Sequence, residues 1–222
     1  MKKNIKLCSL LIFCLTFTAC ATQKSNNNPA VSTEIGLEDT APTISEVHGT
    51  YIYDEDSYSE LAGVSDYVII GNVNKEISTE YRRPIEITTE SGGTETIGIP
   101  YTNYEVQVLE NLKGNLVTDR PITITKKGGI TEDKSQYILF GSDVMPESGQ
   151  TYVFYIFAQE DGSNLVSGAN SNIPISLSRQ PRVSTYSNSI VEDSQDIRKK
   201  VEEGIANEVF FELDRSISKD AK

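Results

Sequence analysis

A mainly β fold is what this sequence predicts: a small closed barrel with a short N-terminal helix and a C-terminal helix packed on it. Three observations carry the prediction. Apolar and polar residues alternate at strand spacing in several short runs. Gly, Asn, Asp and Pro separate those runs at short intervals. Near the C-terminus the apolar residues switch to helical spacing.

The chain opens on a basic stretch, Met1 to Lys6, followed by an apolar run from Leu7 to Phe17. Lysines stay on the cytoplasmic side while such a run enters the export machinery, so residues 1–19 read as a signal peptide. The run is too short to span a membrane, which takes about 20 apolar residues. Its end, Phe17-Thr18-Ala19-Cys20, resembles the bacterial lipobox, with Phe17 where Leu is usual. The resemblance implies cleavage before Cys20 and a diacylglyceryl thioether on its sulfur. Two acyl chains hold a protein stably, each buried CH₂ contributing roughly 0.8 kcal/mol. The expected location is therefore extracytoplasmic, lipid-anchored to the cell membrane.

Residues 20–45 are polar and without apolar period, the composition of a tether, so structure is expected to begin near Val47. A β-barrel domain is then expected over 46–190. Ser57 and Glu60 have capping-box spacing ahead of Leu61 and Val64, which predicts a helix of about two turns. Tyr67 to Ile70 is apolar on both faces, and Gly71 after it suggests a bulge. Tyr104, Val106 and Val108 alternate with polar residues, as do Ile122 and Ile124 after Pro121. Tyr137 to Phe140 predicts another short strand. Tyr152 to Phe157, apolar throughout, predicts a central one, and Asp161-Gly162 a tight turn into Asn164 to Ser167. Between the first two core strands, 77–100 reads as an inserted β-hairpin arm turning at Ser91-Gly92-Gly93. Over 191–215, Ile197, Val201, Ile205, Val209 and Leu213 recur every fourth position, a broad helical stripe capped by Ser194. Gly204 within it costs about 1 kcal/mol relative to Ala. Residues after Arg215 are expected to fray.

Composition excludes several chemistries. Cys8, Cys14 and Cys20 are the three cysteines, so the chain beyond Cys20 has no disulfide, no thiolate nucleophile and no thiolate metal ligand. His48 is the lone histidine, which leaves little room for imidazole-based hydrolysis or zinc sites. The formal net charge is −12, and more negative once Lys2, Lys3 and Lys6 leave with the signal. Such a body repels nucleic acid. No cofactor is expected.

The core runs also carry a family resemblance. Ser65 to Val73, Tyr104 to Gly114, and Gly149 to Tyr155 with the turn at Asp161-Gly162 are similar to strands of secreted OB-like barrels, the netrin-like and metalloproteinase-inhibitor domains. The resemblance spans roughly 65–175 and implies their small closed barrel. Those families begin at a working cysteine and are stapled by disulfides, which this chain lacks, so inhibitor chemistry does not carry over.

Candidate sites each have a plainer reading beside them. Asp54 and Asp56 offer oxygen ligands to a cation but lack EF-hand spacing, and acids before a helix N-terminus are favoured by its dipole. Tyr81, Arg82 and Arg83 concentrate cation and aromatic in the arm, as an interface anchor or as a solvated loop. Tyr51, Tyr53 and Tyr58 suit glycan stacking or ordinary packing, with Tyr51 and Tyr53 on one strand face. Ser216 and Lys219 have the spacing of a nucleophile pair, but the pair needs a buried lysine. Glu105, Glu110 and Asp143 would serve an envelope enzyme only as a facing pair. The expected function is a membrane-anchored binding module for a protein or glycan, rather than an enzyme; a passive envelope component is the further alternative.

Overall fold

The apolar run Tyr67 to Ile70 lies between two cores, one enclosed by strands and one beneath two helices. The structure, a computed structural model, describes residues 41–88, 92–141, 143–175 and 194–222, all within the unit Thr40–Lys222. In chain order these form β1 (Thr43–Val47), α1 (Tyr58–Val64), β2 (Tyr67–Thr88), β3 (Thr94–Lys113), β4 (Ile122–Lys127), β5 (Gly129–Ile130), β6 (Gln136–Phe140), β7 (Thr151–Ala158), β8 (Asn164–Val166), β9 (Asn172–Ile175) and α2 (Ser194–Ala206). The chain is mainly β. The signal at 1–19, Cys20, the tether to residue 40, residues 89–91 with Ser91 of the expected turn, residue 142 and residues 176–193 lie outside the described residues.

Five strands form a hydrogen-bonded ring in the order β2-β3-β4-β8-β7, closed by pairing of β7 with β2. Neighbours are antiparallel except β4 and β8, and β9 pairs with β7 as a further strand. Alternation decides which residues go inside. Ile69, Val73, Val106, Val108, Ile122, Ile124, Phe154 and Ile156 share the inner cluster. Val68, Ile70, Val153 and Tyr155 face outward onto Leu61 of α1 and Ile197 and Val201 of α2. Both faces of the run Tyr67–Ile70 in β2 and of Tyr152–Ile156 in β7 are therefore buried, so these runs are apolar at every position; each such side chain contributes about 1.5–3 kcal/mol. At Gly71 the register slips, and a Cβ there would sit 2.6 Å from Val106 Cγ1. Only a glycine lets the backbone pass that close.

A second sheet, β1-β6-β5, lies beside the ring, with β1 parallel to β6. The chain turns into it at Gly128 and Gly129, whose φ values of 124° and 132° are open to glycine. Thr102 Oγ1 donates to the Gly128 carbonyl at 2.8 Å and Gly128 N to the Pro100 carbonyl at 2.9 Å, tying this sheet to β3.

The arm is the outer part of the antiparallel β2–β3 pair. β2 and β3 continue from the ring into it and stay paired to Thr88 opposite Thr94, with register shifts along the way. At its base Asn103 Nδ2 donates to Glu80 Oε1 at 2.8 Å, and Thr125 Oγ1 donates to Asn103 Oδ1 at 2.7 Å. Ser57 caps α1 by accepting from Glu60 N, while the Glu60 carboxylate accepts from Asp54 N at 2.8 Å.

Three boundaries differ from expectation. Structure begins at Thr43, inside the expected tether, because β6 offers that segment a full ladder of backbone partners. The C-terminal helix, expected to 215, ends at Ala206; Val209 N instead donates to the Ser59 carbonyl of α1 at 3.0 Å. Val209 and Leu213 therefore leave the helical stripe. The last residues do not fray: Ser218 and Asp220 are each 4% exposed, and Ala221 bridges Leu116. Arg215 holds this strap by donating to the Val64 carbonyl at 2.7 Å.

Candidate functional site

A groove of about 510 Å³ opens between the ring and the second sheet. Its floor carries Tyr104 of β3 and Glu76 of β2; one side carries Ile44 of β1 with Tyr137 and Leu139 of β6; the other is the segment Asp143 to Ser148. Tyr104 also belongs to the inner cluster of the ring, so the groove reaches into the ring interior.

Tyr104 is 1% exposed, and among the described residues its hydroxyl has no hydrogen-bond partner. A buried hydroxyl left in that state costs about 1–3 kcal/mol. Burial pushes its pKa far up, and Tyr137, Glu76 and Tyr152 add to the shift, so it is a neutral phenol. The Tyr137 phenol is raised as well, by burial first and then by Glu76.

The wall opposite β6 is held in place. Glu147 N donates to Tyr152 Oη at 2.9 Å, Asn172 Nδ2 to the Val144 carbonyl at 2.9 Å, and Gly149 N to the Val73 carbonyl at 2.7 Å. At its start the Asp143 carboxylate pairs with Lys126 of β4. Lys126 Nζ also donates to Ser171 Oγ at 2.7 Å, and Ser171 Oγ to the Gly168 carbonyl at 2.6 Å. These bonds pre-organise one side of the groove, which lowers the cost of binding.

The carboxylates considered for catalysis are each paired elsewhere. Glu105 meets Lys75 at 3.5 Å, Glu110 takes both Nη atoms of Arg198 at 2.6 and 2.8 Å, and Asp143 is held by Lys126. Three separate cations hold them, and they do not converge.

Asp54 is used within its own loop, and Asp56 ties that loop to the distant turn at Asn170. Asp54 Oδ1 accepts from Asp56 N at 3.0 Å, and Asp56 Oδ1 from Asn170 Nδ2 at 3.1 Å. Among the described residues no group of three or more His, Cys, Asp or Glu side chains is placed to hold a metal. Tyr51 and Tyr53 are not on a strand: the segment bends, and the two rings meet tilted, centroids 5.4 Å apart and planes at 51°. Tyr58 packs against the outer core. Ser216 and Lys219 lie on the docked strap, with the lysine exposed, and His48 is exposed too.

In the arm, the Arg82 guanidinium lies 4.7 Å over the Tyr101 ring and pairs with Glu80 at 3.1 Å. Tyr81 is half-buried, and Arg83 is exposed with φ at 50°, in the left-handed region beside a register slip.

Sequence reasoning missed Glu76, Tyr137, Glu147 and Lys126. One of them left a signal. Lys126 follows Ile122 and Ile124 at a period of two, so alternation alone aims its ammonium inward. The groove residues left none, since distant segments build it. No known protein family and no curated protein matches this chain.

Proposed function

We propose that this protein is an exported, lipid-anchored binding module whose contact site is the groove beside Tyr104. Cys20 carries the anchor in this reading, and the polar segment after it spaces the folded body from the membrane. The lipobox resemblance and a body without cysteine support the first half. The second half rests on one observation, the partnerless buried Tyr104 hydroxyl on the floor of a pre-organised groove. Binding is preferred to catalysis because Glu105, Glu110 and Asp143 offer no facing pair.

The ring itself is read here as an OB-like barrel. Counting only its members, the strand order is first, second, third, fifth, fourth and back to first, with one parallel contact between third and fifth. That order supports the family resemblance in fold alone.

Two measurements test the proposal. Mass spectrometry of native material should find a diacylglyceryl group on Cys20 at a new N-terminus; an unmodified sulfur there would end the anchored reading. Thermal-shift screening against cations, glycans and peptides should find a ligand that raises the melting temperature of the wild type but not of Val144→Trp, which fills the groove. A protein that answers to nothing is a passive component, and the binding reading then falls.

The arm supports a second contact surface. Arg82 stacked on Tyr101, with Arg83 exposed beside it, suits a protein partner. Arg82→Ala together with Arg83→Ala should abolish capture of such a partner while leaving the ring folded.

A further inference from the structure

The groove has a sign. Among the described residues that line it, Glu76, Asp143 and Glu147 are acids, and none is Lys, Arg or His. Asp143 is neutralised by Lys126, but Glu76 and Glu147 are exposed. A ligand anion would meet two carboxylates with no counter-charge, in a protein already at a formal net charge of −12. Charge complementarity therefore selects a cation.

The remaining surface says what kind. Ile44 is 70% exposed and Val144 is 46% exposed on opposite sides of the groove, so its walls offer hydrocarbon without a partner. A hydrated metal ion has no use for such walls and asks for several convergent oxygens. An ammonium or guanidinium group on an aliphatic stem uses both features. The stem lies on the apolar walls, and the head, which only donates, meets acceptors. Tyr104 Oη is such an acceptor, buried and without a partner among the described residues. The volume, about 510 Å³, falls in the range of small-ligand sites.

We propose that this groove binds an organic cation with an aliphatic stem, its charged head received by the Glu76 and Glu147 carboxylates and the Tyr104 hydroxyl oxygen. The proposal rests on the binding reading above and deepens it by naming the ligand class. A free amine and the lysine side chain of a partner share this chemistry.

The test uses the full lipidated chain in detergent, titrated calorimetrically with n-butylammonium, n-butylguanidinium, a blocked lysine amide, n-butanol and butyrate. The three cations should bind and weaken as salt rises, because screening weakens the carboxylate contacts. Glu76→Gln and Glu147→Gln, both surface changes that leave the fold intact by circular dichroism, should each weaken cation binding about tenfold. Tyr104→Phe should weaken it less. A better response to the lysine amide than to n-butylammonium would still support the proposal and point to a protein source. Butanol or butyrate binding as well as the cations, with loss in Val144→Trp, would overturn the cation class and leave the groove reading standing. If no probe of any charge binds, the cation class falls, and the groove reading falls with it only when the thermal-shift screen of glycans and peptides is also empty.

Discussion

The Lys126 ammonium and the Asp143 carboxylate form an ion pair from which water is excluded, their side chains 0% and 2% exposed. Burial pushes the Lys126 pKa down and the Asp143 pKa up, while their mutual attraction opposes both shifts. The pair joins β4 to the segment that walls the groove. Removing one partner leaves a buried charge alone, so Asp143→Asn should destabilise the protein by about 3–5 kcal/mol. Replacing both, as Lys126→Met with Asp143→Leu, should recover most of that loss. Urea unfolding reads both outcomes, and equal midpoints for Asp143→Asn and wild type would contradict the pair's role.

Gly204 sits in the last turn of α2, where alanine's higher helix propensity would gain up to about 1 kcal/mol. A Cβ there would come 2.7 Å from Tyr58 Cβ and 2.8 Å from its backbone carbonyl atoms. The helices approach too closely for a methyl group. Gly204→Ala should therefore lose about 1–3 kcal/mol by overpacking. A raised melting temperature in that variant would show that α1 and α2 have room to separate.

The C-terminal strap is a structural element. Asp220 accepts from buried Asn164 at 3.1 Å and pairs with Arg120 at 2.9 Å, while Ala221 packs on the ring core beside Leu116. Deleting Ser218–Lys222 uncovers Leu116 and leaves Asn164 short of a partner. The expected loss is at least about 2 kcal/mol, read as a lower urea midpoint. An unchanged midpoint would mean the strap only rests on the surface.

Asp133 offers a titration test. Hydrogen bonds from the Thr131 hydroxyl first, then from the Ser135 hydroxyl and backbone amide, hold its pKa down at about 2. A depressed carboxylate pKa contributes stability above the unfolded value near ~3.9, and that contribution is lost as pH falls through about 2. The group is exposed, so the energetic effect is small. Its carboxyl carbon should titrate near 2 by NMR, and Thr131→Val with Ser135→Ala should bring the midpoint back up.

Much of the ring was legible because its signals are local. Tyr152 to Phe157 is apolar on both faces since β7 lies between the inner core and the helices. Asp161 and Gly162 announce a turn, and Ser163 N donates to Asp161 Oδ1 at 2.9 Å to close it. The candidate site was less legible. Tyr104 reads as one more alternating strand residue, and nothing near it in sequence tells that its hydroxyl lacks a partner. The helix was misjudged at Val209 because a spacing of four continues past Ala206, although the chain there bonds to α1 instead.

From its residues alone the chain determined the period of the core runs in β2, β3, β4 and β7, the turn at Asp161-Gly162 and the absence of cysteine chemistry beyond Cys20. Each of those depends on neighbours in sequence, where side-chain direction follows from backbone geometry. Tertiary structure decided which acids are spent on ion pairs, which remain at the groove and where the last residues dock. These depend on ring closure between β2 and β7 and on a second sheet whose strands find partners across long stretches of chain. Such contacts form only when the whole fold has brought distant groups within a few ångströms of one another.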